Sequence, residues 1–194
     1  PISKDDELKT YAGIVLAAIA LISLDLLAHS SYGLWNTLRH SAFQVVSVIT
    51  TTGFTTVNYD VWPPLSRAIL LLLMFVGGSA GSTGGAIKVV RVNVLAKHSI
   101  RELKRAVYPR RVTVIRLNGK AVPEEVSSAV LAFVILYLSV FLLAMLAMSA
   151  MGLDFVSAVG AVAATLGNIG PGFGLVGPAC NYSTVPAIGK WLLS

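Results

Sequence analysis

Four stretches without a single Asp, Glu, Lys or Arg dominate this chain: Tyr11 to Leu24, Ala68 to Ile87, Val126 to Gly152 and Phe155 to Gly189. A crossing helix needs about 20 apolar residues, so such stretches are long enough to span a bilayer or dip into it. The 194 residues are 55% hydrophobic and only 12% charged, well below the roughly 25% charged of a soluble domain. Mean hydropathy is +0.76. The expected fold class is an all-α, multi-pass integral membrane protein. The charged leader from Lys4 to Lys9 lacks the short core and small-residue cleavage site of a signal peptide. Pro1 at one end, and Trp191-Leu192-Leu193-Ser194 opening an apolar helix at the other, read as the ends of a fragment.

Of fifteen Lys and Arg, ten lie between Lys88 and Lys120. Between hydrophobic spans, a basic connector reads as cytoplasmic. The same run in a soluble chain would suggest nucleic acid, but the flanking spans argue against that partner. Cys180 is the one cysteine; it cannot close an intramolecular disulfide and reads as a small apolar filler.

The chain repeats itself, which fixes architecture before local detail. Apolar spans begin near Tyr11 and Val126, and each leads to a Thr-x-Gly element, Thr51-Thr52-Gly53-Phe54 and Thr165-Leu166-Gly167-Asn168, whose glycines are 114 residues apart. Beyond them, Asn58-Tyr59, Pro63 and Arg67 return as Asn181-Tyr182, Pro186 and Lys190, at an offset of 123. The nine-residue difference reads as an insertion between Gly170 and Cys180, where added loop length costs little.

Each repeat therefore reads as a helix, pore loop, helix unit. Residues 1–95 hold an outer helix at about 10–28, a pore helix at about 36–50, a filter at 51–55 and an inner helix at about 63–95 broken at 77–85. Residues 96–123 form the basic connector. Residues 124–194 hold a truncated second unit, with an outer helix at about 124–151, a pore helix at about 155–165, a filter at 165–169 and an inner helix starting from about 186.

The middle elements are expected to be re-entrant. Ser41 to Thr50 rises only about 15 Å as a helix, half of a 30 Å hydrocarbon core. The threonine- and glycine-rich residues after it are poor helix material, and their backbone cannot face lipid unpaired. Asp154 is positioned to cap a second short helix, Phe155 to Ala164. A helix that ends at mid-membrane turns its partially negative end towards whatever follows, which favours a cation. The Thr-x-Gly elements resemble the Thr-Val-Gly-Tyr core of potassium-channel filters, where backbone carbonyls replace an ion's hydration shell.

The run Gly77-Gly78-Ser79-Ala80-Gly81-Ser82-Thr83-Gly84-Gly85 interrupts the inner helix. A phosphate-binding loop would need Gly-Lys followed by Ser or Thr, whereas Lys88 follows Ile87. Helix packing through small residues is the plainer reading; unwound backbone lining a cavity fits five glycines better. This run, continuing as Ala86-Ile87-Lys88-Val89-Val90-Arg91, together with Thr51-Thr52-Gly53-Phe54 and Gly167-Asn168-Ile169-Gly170-Pro171-Gly172, resembles the membrane subunit of the Trk/Ktr potassium-uptake family, and Trk more than Ktr.

The resemblance covers essentially the whole chain and implies the third and fourth of four repeats around one pore. It implies potassium uptake, with K+ as substrate and no cofactor, filter residues Thr51, Thr52, Gly53, Phe54, Thr165, Leu166, Gly167 and Asn168, and a gate at Gly77 to Gly85. It also implies a homodimer and a cytoplasmic nucleotide-binding regulatory subunit, with membrane lipid as the remaining partner. Asn168 departs from the aromatic of the first filter, Phe54, so fourfold symmetry is not required.

Plainer roles compete at several residues. The threonine hydroxyls can bond nearby carbonyls, and Lys88 and Arg91 can serve as positive-inside anchors. The sharper expectation is that Lys88 bonds the loop's carbonyls and holds it closed. Asp25 is either an ion site or interfacial. His29, His40 and His98 show no metal spacing, and no catalytic set is apparent. Rival functions are a tandem-pore cation channel closing its ring as a dimer, a sodium-permeable member of the same superfamily, and a non-conducting scaffold.

Overall fold

The structure, a computed structural model, describes residues 5–108 and 114–194. Lys4 of the leader and Arg110 and Arg111 of the basic connector lie outside the described residues. The helices are α1 (Asp6–His29), α2 (Leu34–Ile49), α3 (Pro64–Met74), α4 (Val89–Val107), α5 (Glu124–Ala150), α6 (Phe155–Leu166) and α7 (Ala187–Leu193). A hairpin of β1 (Arg116–Leu117) and β2 (Lys120–Ala121) joins α4 to α5. Asn118 and Gly119 at its tip both take positive φ, as a tight two-residue hairpin turn requires.

α1 and α5 have 24 and 27 residues, hence lengths of about 36 and 40 Å, enough to cross a 30 Å core. Both are apolar on every side rather than along one stripe, and Leu16, Leu24, Leu136 and Leu143 stand largely exposed. Such faces need lipid as their solvent. The long and shorter helices share one core, where Ile22 and Leu26 of α1, Val45 and Ile49 of α2, Leu70 and Met74 of α3 and Met148 of α5 are fully buried.

Asp25 is a structural tether. Its Oδ2 accepts from the backbone N–H and the hydroxyl of Ser66, at 2.9 and 2.6 Å. Ser66 is the third residue of α3, so a carboxylate borrowed from α1 satisfies one of that helix's orphan donors.

Several expected boundaries move. α2 has 16 residues, about 24 Å by its rise, and runs from Leu34 to Ile49, close to the expected 36–50. α6, with 12 residues, is about 18 Å long. α3 ends at Met74 rather than Val76. Its continuation, α4, does not stop at 95 but runs to Val107, carried outward by ion pairs from Lys97 to Asp6 at 2.8 Å and from Arg101 to Glu124 at 3.1 Å. Cys180 is exposed rather than packed as a filler.

Candidate functional site

α2 and α6 end in turns with the same backbone. In the first, Thr51 N–H donates to Val48 O at 3.0 Å, Thr52 N–H to Ser47 O at 3.0 Å, and Gly53 N–H to Ser47 O at 3.4 Å. In the second, Asn168 N–H donates to Thr165 O at 2.9 Å, Ile169 N–H to Ala164 O at 2.7 Å, and Gly170 N–H to Ala164 O at 3.4 Å. Positive φ falls at Thr51 and Gly53 in one turn and at Asn168 and Gly170 in the other. Left-handed residues of this kind let the last carbonyls of a helix find donors.

This pattern corrects the repeat register. Gly53 corresponds to Gly170, 117 residues on, and Gly167 corresponds to Thr50, the residue that ends α2. The insertion before Asn181 shrinks from nine residues to six. Gly167 is buried and has the helical φ of −77°; a Cβ there would come within 2.9 Å of Met74 O. Its smallness therefore serves the approach of α6 to α3. Gly170 is exposed, with φ +108°. The Thr-x-Gly match pairs Gly167 with Gly53, whereas the backbone hydrogen bonds and positive φ pair Gly170 with it.

Three segments meet here. A Cβ on Gly53 would collide with the carbonyl oxygen of Ile169 and lie 3.0 Å from Pro171 Cδ, so the two turns are in direct contact. The glycine-rich loop touches both: a Cβ on Gly84 would come 2.7 Å from Thr51 Oγ1, and one on Gly85 3.0 Å from Leu166 O and 3.1 Å from Gly167 O.

Two tyrosines brace the second turn. Fully buried Tyr59 donates its hydroxyl to Gly172 O at 2.9 Å and is 3.1 Å from Pro171 O; Tyr182 donates to Gly170 O at 2.7 Å. Ser47 Oγ donates to Phe54 O at 2.6 Å. Among the described residues, the carbonyls of Thr51, Thr52, Gly53, Asn168 and Ile169 receive no hydrogen bond. Two of the three filter threonine side chains are spent locally, as Thr52 and Thr165 donate to the carbonyls of Ser47 and Ala161 at 3.2 and 2.8 Å. Phe54 is 72% exposed and packs into no core.

The glycine-rich run is a closed excursion between α3 and α4. Gly77 N–H donates to Ile87 O at 2.8 Å and Ile87 N–H to Phe75 O at 3.1 Å, a short parallel bridge across its neck. Lys88 Nζ reaches back to Ser82 O and Oγ, both at 2.8 Å, and to Gly84 O at 2.6 Å. From α1, Glu7 Oε1 accepts from Ala80 N–H at 2.6 Å. Gly78, Ser79, Gly81 and Thr83 complete the run. Arg91 is not part of it: one turn into α4, its guanidinium stacks on the Phe133 ring of α5, 3.9 Å from the centroid.

Sequence reasoning sets the second filter at 165–169, which holds Ile169 but stops short of Gly170, and does not find the two tyrosine hydroxyls or Glu7. The repeated Asn-Tyr pair was visible, and it marked where the braces sit without showing which carbonyls they hold. Among the described residues, no three His, Cys, Asp or Glu side chains gather to hold a metal ion. The oxygens on offer are those of the backbone. At the head of α6, Asp154 accepts from Ser157 N–H at 3.2 Å; hydrogen bonding to Ser157 holds its carboxyl below the usual range.

The family model described as "TrkH: Cation transport protein" matches residues 16–194. The chain is 42% identical over 191 residues to the "Trk system potassium uptake protein TrkH" of Salmonella typhimurium, covering 98% of this chain and 39% of that protein. It is 33% identical over 193 residues to the "Trk system potassium uptake protein TrkG" of Escherichia coli, covering 100% of this chain and 39% of that protein. The crystal structure of the potassium transporter TrkH from Vibrio parahaemolyticus superposes with a TM-score of 0.89 at 42% identity, covering 98% of this chain and 40% of that one. The chain thus spans about two fifths of the length of these relatives. It belongs to the TrkH family of cation transport proteins, and is accordingly a protein of the cytoplasmic (inner) membrane and not an enzyme.

Proposed function

We propose that this chain supplies two of the filter segments and the gate of a potassium-uptake pore. The observation that carries the reading is the set of five undonated carbonyls at two touching turns, Thr51, Thr52, Gly53, Asn168 and Ile169, each turn at the C-terminal end of a short helix. Unpaired carbonyls inside a membrane protein are costly unless something else bonds them. A dehydrating monovalent cation does so, and two helix ends add a favourable field. Five Trk system potassium uptake proteins named TrkH are 41–42% identical to this chain over 191 residues.

In this reading α2 and α6 are re-entrant pore helices, and the filter strands are Thr51 to Phe54 and Asn168 to Pro171. Phe54 closes the first strand, its carbonyl held by Ser47 Oγ, while Thr165, Leu166 and Gly167 form the last turn beneath. The loop from Gly77 to Gly85 is the gate, pressed against both turns by Gly84 and Gly85 and clasped by Lys88. α4 and the β1–β2 hairpin, basic and outside the apolar bundle, offer a surface for a cytoplasmic nucleotide-binding regulatory subunit, and the full polypeptide works as a homodimer.

The test is uptake by the full polypeptide in cells lacking other potassium-uptake systems. Gly53→Ser and Gly170→Ser should each lower the potassium-to-sodium uptake ratio by about tenfold or more, the loss of roughly one good ion–oxygen interaction. Gly167→Ser should affect protein yield rather than that ratio. An unchanged ratio in both filter variants would sink the assignment, and a changed ratio in Gly167→Ser alone would restore the Thr-x-Gly register.

A further inference from the structure

We infer that the groove between α3 and α6 binds a phospholipid of the outer leaflet, with Arg67 holding the phosphate and the groove holding part of an acyl chain. The start of α3 is the end remote from the basic connector, so it lies on the outer side. The groove has a volume of about 190 Å³ and is walled by Arg67, Ala68 and Leu71 of the first repeat and Val156, Val159 and Phe173 of the second. It is too large for one water, at about 30 Å³ each, and too apolar to order several.

Among the described residues, Arg67 is the one charge on its wall, and its Nε has no partner. Its Nε is closed off from solvent without a hydrogen-bond partner, and no carboxylate among the described residues is within ion-pair distance. The counterpart in the second repeat, Lys190, behaves differently: its Nζ donates to Ser183 O at 3.1 Å, within its own turn. Two acidic residues stand on neighbouring elements and are engaged elsewhere. Asp60 Oδ2 accepts from Gly174 N–H at 3.0 Å, and Asp154 accepts from Ser157 N–H. Asp60 Oδ1 is itself without a donor, so the two orphans do not satisfy one another.

A half-buried guanidinium whose Nε is shut off from water and which has no anion beside it is costly, and phosphate is the anion that its fork of donors fits best. At this depth the phosphate that arrives attached to an apolar chain is that of a phospholipid. The exposed walls, Phe155 at 69% and Val156 at 46%, open the groove sideways.

The experiment places the full polypeptide in nanodiscs of phosphatidylglycerol and phosphatidylethanolamine with a trace of phospholipid carrying a diazirine on its acyl chain, followed by peptide mapping. Label is expected at Ala68 to Leu71 or Val156 to Val159. Arg67→Gln should reduce it about tenfold, the loss of one charge-assisted contact, and Ala68→Trp, which fills the groove without touching the charge, should do the same. Label on α1 and α5 should stay constant and so report intact folding. Excess inorganic phosphate should leave the label in place. The inference is overturned by absence of label in the groove, which would mean that another part of the polypeptide covers it. It is equally overturned by label indifferent to Arg67→Gln, or by complete displacement by free phosphate.

Discussion

Thr50 to Phe54 and Gly167 to Pro171 follow one backbone path at the ends of α2 and α6, hydrogen bond for hydrogen bond, with hardly a residue in common. The second turn places Asn168 and Gly170 at its left-handed positions, residues that tolerate them. The first places Thr51 and Gly53 there, and a β-branched residue at φ +57° costs about 1–2 kcal/mol. Surroundings differ as well: Gly53 is wedged against the second turn, whereas nothing lies within 4 Å of a Cβ on Gly170. The first turn carries the strained residue and the wedged glycine, and the second carries neither. Strain kept in place by its neighbours is a mark of a functional segment, and the strained turn is the one against which Gly84 sits.

The sharpest way to break this comparison is to put the same methyl on both glycines. Gly53→Ala must drive the two turns apart and should cost at least about 3 kcal/mol, whereas Gly170→Ala meets only backbone strain of about 1–3 kcal/mol. Melting temperatures of the two purified variants check the order, and equal losses would mean that the turns do not touch. Lys88→Met removes the clasp beneath both turns at once. Three bonds from a charged but partly solvated donor suggest about 1–3 kcal/mol of loop closure, hence about tenfold or greater open population. Faster potassium uptake with an unchanged potassium-to-sodium ratio is the expected result; slower uptake would contradict a closing role.

Thr51→Asn makes the first turn resemble the second. Relief of the β-branched strain should raise stability by about 1 kcal/mol, read as a higher melting temperature; a fall would mean that the Thr51 side chain supports Gly84. The smallest effects belong to the helix heads. Asp154 caps α6, whereas Gly33 offers α2 no side chain. Asp154→Ala should lose about 1 kcal/mol and Gly33→Asp gain a few tenths, since a Cβ at Gly33 meets nothing within 4 Å. Thermal denaturation of both variants measures the difference between the two heads.

Much of the fold was legible because its causes are local. Long apolar stretches without a charge, Tyr11 to Leu24 and Val126 to Gly152, select lipid as solvent whatever else the chain does, so α1 and α5 follow almost by inspection. Five glycines in nine residues cannot sustain a helix, which is why the inner helix parts between Met74 and Val89. Less of the candidate site was legible. A tripeptide match placed Gly167 opposite Gly53, because a string of letters carries no information about which way a carbonyl points.

The sequence by itself determined the solvent, the twofold repetition and the places where helix must fail, since hydropathy and propensity act within a few residues. Only the tertiary structure decided that Gly170 is the counterpart of Gly53, that Lys88 faces the loop while Arg91 turns to Phe133, and that Tyr59 braces the other repeat's turn. Those outcomes depend on which donor stands opposite which carbonyl across more than a hundred residues of chain. Hydrogen bonds are short-ranged and directional, so only the packed arrangement of the helices says which groups remain unpaired.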